Sequence, residues 1–121
     1  MNLFDSQPSQ IFGLHNEFIS SGRLDNLGSS LVSLDSLIES HKAGAQDNAE
    51  CSMIMLFDHE EVGSQSAQGA DSNMAVEITQ RVFEGVKPDF RQSDYYRSIR
   101  RSFLISADMA HALHPNYQEK H

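Results

Sequence analysis

Leu27, Leu31, Leu34 and Ile38 recur at helical spacing, and Leu37 widens the same stripe. Ser29, Ser33, Ser36 and Glu39 fall elsewhere, so the pattern predicts a helix over 26–42. Asp25 or Asn26 can cap its start and Gly44 can stop it. Ahead of it, Met1 to Phe12 has no sustained period and contains Pro8; it reads as a tail, or as a strand whose partner lies elsewhere. Phe18-Ile19 is a short apolar pair before the turn signal Ser20-Ser21-Gly22. After a polar loop over 46–50, Cys51 to Phe57 is a nearly continuous apolar run of strand length, the pattern of a strand buried on both faces. It ends in a burst of charge, Asp58-His59-Glu60-Glu61, and the small polar stretch Gly63 to Ser72 reads as a loop. Met74, Ile78 and Val82 predict a second helix over 73–84, closed by Gly85 and Pro88. A third is predicted over 93–101 and carries Arg97, Arg100 and Arg101. Ser102 to Ala107 is the second buried-strand candidate and is followed by an acid, Asp108.

Helices alternating with buried strands predict an α/β chain with a mainly parallel sheet and crossover helices. Two strands are not a sheet, and strands apolar on both faces need neighbours; that tension points to a fragment. The length of 121 residues allows one small domain and not two, so 1–121 reads as a single, incomplete domain. Nine Lys and Arg against 17 Asp and Glu leave a net charge of −8. That balance argues against a nucleic-acid footprint and against an anionic membrane surface. No apolar stretch approaches the roughly 20 residues of a membrane span, and no charged start with an apolar run resembles a signal peptide. The single cysteine, Cys51, excludes an internal disulfide and a Cys-based zinc site. The expectation is an intracellular, soluble, acidic protein or a piece of one.

Ligands of open α/β sheets bind outside the carboxyl ends of the strands, and this sequence puts acids there twice. Glu60-Glu61 follows the first strand candidate, Asp108 follows the second, and Asp25 stands where the first helix begins. Carboxylates gathered at one sheet edge repel each other unless a cation compensates, so the pattern suggests a metal. With histidines, the donor set suits zinc, manganese or cobalt better than calcium. Each residue also has an ordinary reading. A Glu-Glu pair after a strand can be a solvated loop, Asp25 a helix cap, and His59, His111 and His114 surface groups.

Three segments carry a resemblance. Arg23-Leu24-Asp25-Asn26-Leu27, Leu56-Phe57-Asp58-His59-Glu60-Glu61-Val62-Gly63-Ser64 and Ser102-Phe103-Leu104-Ile105-Ser106-Ala107-Asp108-Met109-Ala110-His111-Ala112 resemble, in order, the aspartyl aminopeptidases. These are the M18 family of cocatalytic zinc exopeptidases. The likeness continues through His114-Pro115-Asn116-Tyr117 and covers nearly the whole chain from about Gln7. It implies a three-layer sandwich of the zinc exopeptidase type, with only part of its sheet in this chain. It implies release of an N-terminal Asp or Glu from peptides at a site of two zinc ions. Asp25 matches the aspartate that bridges the two ions, followed by a cis peptide at Asp25-Asn26. Glu60 matches the general base, Glu61 a ligand of one zinc and Asp108 a ligand of the other. Glu60 and His111 match residues that contact substrate. Within a full-length family member, homo-oligomers and a cytoplasmic setting are implied, with no nucleic-acid or membrane partner.

The family pattern also requires two histidine ligands, and neither motif is present; nor are the basic residues that read the acidic side chain of the substrate. The chain therefore resembles the middle of a catalytic domain, with the isolated piece expected to be inactive. A second reading treats it as a truncated, non-catalytic product that docks onto full-length subunits. A transcript continuing in frame past His121 favours the first reading, and a stop codon there the second. In the enzyme reading, Asp25, Glu60, Glu61 and Asp108 converge at the carboxyl edge of a sheet containing 51–57 and 103–107.

Overall fold

In the stretch expected to be a tail or an orphan strand, Gln10–Phe12 (β1) pairs antiparallel with Phe18–Ser20 (β2). Ile11 faces Ile19 and Phe12 faces Phe18 in register, and the rings of Phe12 and Phe18 lie 5.3 Å apart. The partner strand is thus the apolar pair read before the turn, and the turn is what the period analysis missed. Gly13 (φ 103) and Asn16 (φ 56) take the left-handed backbone that reverses the chain, residue types that enter it readily. Glu17 fixes the loop by accepting the His15 N–H at 2.8 Å.

The computed structural model describes residues 3–44 and 50–120. The chain divides into two compact units, Met1–Ser52 with Ser106–His121, and Met53–Ile105. The loop expected over 46–50 lies outside the described residues, apart from Glu50. The described chain mixes two short strands with three α-helices and a 3₁₀ turn at Gln118–Lys120. None of those helices is long and apolar enough to cross a membrane.

In the first unit, α1 (Leu24–Lys42) follows the predicted stripe. Its start is irregular. Arg23 is left-handed (φ 63), Asp25 and Asn26 depart from helical angles, and the Asp25-Asn26 peptide is cis, as the resemblance implied. Neither Asp25 nor Asn26 caps the helix with its side chain; instead the Asn26 carbonyl accepts the Ser30 hydroxyl at 2.9 Å. At the other end Gly44 (φ 78) donates its N–H to the His41 carbonyl at 3.1 Å, the left-handed glycine stop that was expected.

In the second unit, α2 (Met74–Val86) runs two residues past its predicted end, and α3 (Gln92–Ile99) starts one residue before its predicted span and ends two residues short of it. Aromatic rings join them. Phe83 meets Tyr95 edge-on at 6.0 Å and Phe90 at 6.1 Å, and Tyr95, 6% exposed, is the only buried apolar residue among the described residues. Asp94 adds a polar clasp: its carboxylate accepts Lys87 Nζ at 2.6 Å and the Arg91 N–H at 3.2 Å.

The two expected buried strands are where the structure departs from the sequence reading. Residues 51–57 and 102–107 form no strand ladder, and the pairing observed is antiparallel, so a parallel sheet is not present among the described residues. Strand backbone needs neighbours to take its N–H and C=O groups, and neither run finds a partner strand among the described residues. Phe103, Leu104 and Ile105 remain 88%, 84% and 78% exposed as a result.

A Cβ at Gly69, which is buried, would collide with the Ser64 carbonyl. Gly69→Ala should destabilise the loop by about 1–3 kcal/mol, the usual cost of overpacking. It should also speed amide exchange at Asp71, whose N–H is bonded to that carbonyl at 3.1 Å. Lys87, hydrogen-bonded to Asp94, holds its carboxyl below the ordinary 3.8, against some desolvation. A depressed carboxyl stabilises the fold above its unfolded value, and this contribution disappears as pH falls through the folded value. The α2–α3 pair should therefore lose helical circular dichroism below pH 3.8, and Asp94→Asn should remove that acid-sensitive component.

Candidate metal and catalytic centre

Asp25 and Asp108, far apart in sequence, both belong to the first unit. The residue after one and the residue before the other are in contact. Asn26 Nδ2 donates to the Ala107 carbonyl at 3.3 Å, across 81 positions of chain. Gly28 sits against Met109, where an added Cβ would lie 3.5 Å from the thioether sulfur. That is ordinary van der Waals contact, and it places the Asp108 segment beside the first turns of α1 without requiring a glycine there. Asp108 turns one carboxylate oxygen onto the Met109 N–H at 2.8 Å. Asn26 Oδ1 is buried with no hydrogen-bond partner among the described residues, an orphaned acceptor beside Asp25.

Glu60 and Glu61 belong to the second unit, on a tight turn rather than after a paired strand. Gly63 donates its N–H to the Glu60 carbonyl and Ser64 to the His59 carbonyl, each at 2.9 Å. His59 (φ 60), Gly63 (φ 101) and Ser64 (φ 61) are all left-handed. The loop then folds back, with the Asp58 N–H on the Gln68 carbonyl and the Asp71 N–H on the Ser64 carbonyl, both at 3.1 Å. His59 Nδ1 shares a hydrogen bond with Ser66 Oγ, and its Nε2 lies 3.9 Å from Asp58 Oδ2.

Asp25, Glu61 and Asp108 are exposed and take part in none of the ion pairs among the described residues. Uncompensated carboxylates, with an unpartnered amide oxygen beside the first, are donors whose chemistry fits a divalent metal. Among the described residues, no group of three His, Cys, Asp or Glu is assembled to hold an ion. His111 lies in the first unit, on the irregular segment after Asp108.

Sequence reasoning missed two of the groups that organise these segments. The sequence offers Asn26 as a cap and as a member of the cis peptide, and the order of residues carries no sign of its bond to Ala107. Ser66 looked like one more small residue of the Gly63–Ser72 loop, although a histidine followed by such a loop does offer an imidazole something to bond.

The family described as aminopeptidase I zinc metalloprotease (M18) matches residues 1–121. The chain is 48% identical over 119 residues to a probable aspartyl aminopeptidase of Ricinus communis, covering 97% of this chain and 24% of that protein. It is 42% identical over 120 residues to aspartyl aminopeptidase 1 of Schizosaccharomyces pombe, covering 98% and 25% respectively. To the aspartyl aminopeptidase of Aspergillus oryzae it is 44% identical over 129 residues, covering 100% and 26%. The chain thus spans about a quarter of the length of the curated relatives it matches. Matched along its whole length, and with its acids on the segments described above, this chain belongs to the M18 family of aminopeptidases, the aminopeptidase I zinc metalloproteases.

Proposed function

We propose that this chain is part of the catalytic domain of a zinc aminopeptidase that releases N-terminal Asp or Glu from peptides. The single observation that carries the reading is the bond from Asn26 to Ala107, which joins the segments bearing Asp25 and Asp108. Family membership, and relatives named aspartyl aminopeptidases, support the acidic specificity. In this reading 1–121 is one portion of a three-layer α/β sandwich, whose other strands cover 51–57 and 103–107. Substrates are peptides, the assembly is a homo-oligomer and the setting is the cytoplasm.

Asp25, Glu61 and Asp108 are the residues that would hold the zinc, together with histidines from outside these residues. Bound zinc lowers the pKa of a coordinated water and polarises the scissile carbonyl. Glu60 accepts the proton of the attacking water and then delivers it to the leaving amine, so a single carboxylate serves as base and acid. Its neighbour cannot share that task while its oxygens are occupied as a ligand. Adjacent side chains leave a turn in different directions, which lets one hold metal while the other reaches water. His111, three residues beyond Asp108, contacts the substrate.

The two glutamates separate in a direct test on the full-length protein carrying this segment. Glu60→Gln should keep its zinc and lose activity towards an N-terminal-aspartate peptide near the upper end of about 10²–10⁴-fold, the range for general-base catalysis. Glu61→Gln should lose zinc first and regain part of its activity in excess metal, because a neutral amide is a weak ligand. Metal analysis with kinetics decides it; zinc loss in Glu60→Gln with retention in Glu61→Gln would reverse the two roles. A chelator should abolish turnover of the parent protein, and re-addition of zinc should restore it.

A further inference from the structure

We infer that Ser66 is a positioning residue for Glu60 and Glu61, acting through the imidazole of His59. The inference rests on the roles proposed above for the two glutamates and adds the group that sets their backbone.

His59 immediately precedes the pair and is left-handed, at φ 60. A side chain other than glycine stays in that region only where surrounding bonds hold it. Three bonds do so. The His59 N–H donates to Asp58 Oδ1 at 2.8 Å, and its carbonyl accepts the Ser64 N–H at 2.9 Å. These two use backbone atoms of His59 and are open to any residue at that position. The third, between Nδ1 and Ser66 Oγ at 2.5 Å, needs an imidazole and a hydroxyl. Nε2, on the other edge of the ring, lies 3.9 Å from Asp58 Oδ2, so Ser66 is the ring's close partner.

The effect is to close a side-chain link across the turn that carries both glutamates. The turn begins at His59, passes through the Glu60–Gly63 bond and ends at Ser64, whose own carbonyl accepts the Asp71 N–H. Gly69 packs against Ser64 with no room for a Cβ, so the far side of the loop is fixed as well. Ser66 lies between these anchors and is half-buried. Without its hydroxyl, the His59 ring is held only by the longer approach to Asp58, and the peptide leading into Glu60 loses its side-chain restraint. A base and a ligand on successive residues tolerate little rotation of that peptide, because one rotation moves both carboxylates.

The test uses the full-length protein carrying this segment. Ser66→Ala should lower kcat about 10–100-fold with KM little changed, as loss of a supporting partner does. Ser66→Thr, which keeps the hydroxyl, should recover most of it. In a double-mutant cycle, Ser66→Ala placed in a His59→Ala background should lower kcat no further, since the backbone cost of Ala at position 59 is common to both arms. Without metal or substrate, Ser66→Ala should raise amide exchange at Gly63 and Ser64 about 2–10-fold, the worth of one net hydrogen bond. Parent-like kcat in Ser66→Ala overturns the inference, as do unchanged exchange and losses that multiply in the double variant. Full turnover in Glu60→Gln, with exchange and coupling at Ser66 as expected, would instead remove the base assignment and leave Ser66 as the organiser of the turn.

Discussion

The joint between Asn26 and Ala107 brings the start of α1 to the segment of Asp108, and it is a single amide donating to a single carbonyl at 3.3 Å. One such hydrogen bond returns about 0.5–1.5 kcal/mol, and it joins positions 81 apart along the chain. The contact of Met109 with Gly28 adds apolar area but no large core. In the proposed reading Asp25 and Asp108 would both hold the metal centre, which would couple ion binding to the contact between their two segments. The buried, unpartnered Asn26 Oδ1 is a second sign that this corner is built for more than its own atoms.

The same shortage of partners runs through the rest of the chain. The apolar stripe of α1 is in register for a core, yet Leu27 and Leu31 are each 60% exposed. Helix stability in proteins comes mostly from packing an apolar face, so this stripe marks a surface that calls for a neighbour. The exposed run Phe103-Leu104-Ile105 makes the same demand. Where partners are present, as for Phe83, Phe90 and Tyr95, a small aromatic cluster forms, and Asp94 ties its two helices together.

Helix positions were legible because helical hydrogen bonds close within four residues and the apolar period is written locally; all three helices lie where the spacing put them. Strand candidates were legible only as apolar runs. Whether 51–57 becomes a strand depends on what lies beside it, and no window of sequence contains that information. The hairpin failed the period analysis for a different reason: strands of three residues are too short to show an alternation. Of the candidate site, the acids and the family motifs that contain them could be read directly, since a motif is residue type and order.

The sequence by itself determined which side chains could ligate or take a proton, where the helices run and which family the chain belongs to, because each of these is encoded by near neighbours or by motif. Only the tertiary structure decided that Asn26 reaches Ala107, that Ser66 holds His59 and that Gln10–Phe12 pairs with Phe18–Ser20. The physical reason is one of range. A bond between positions near in space but distant along the chain is selected by the free energy of the whole arrangement, with its loop closure and competing partners, and not by the residues on either side of it.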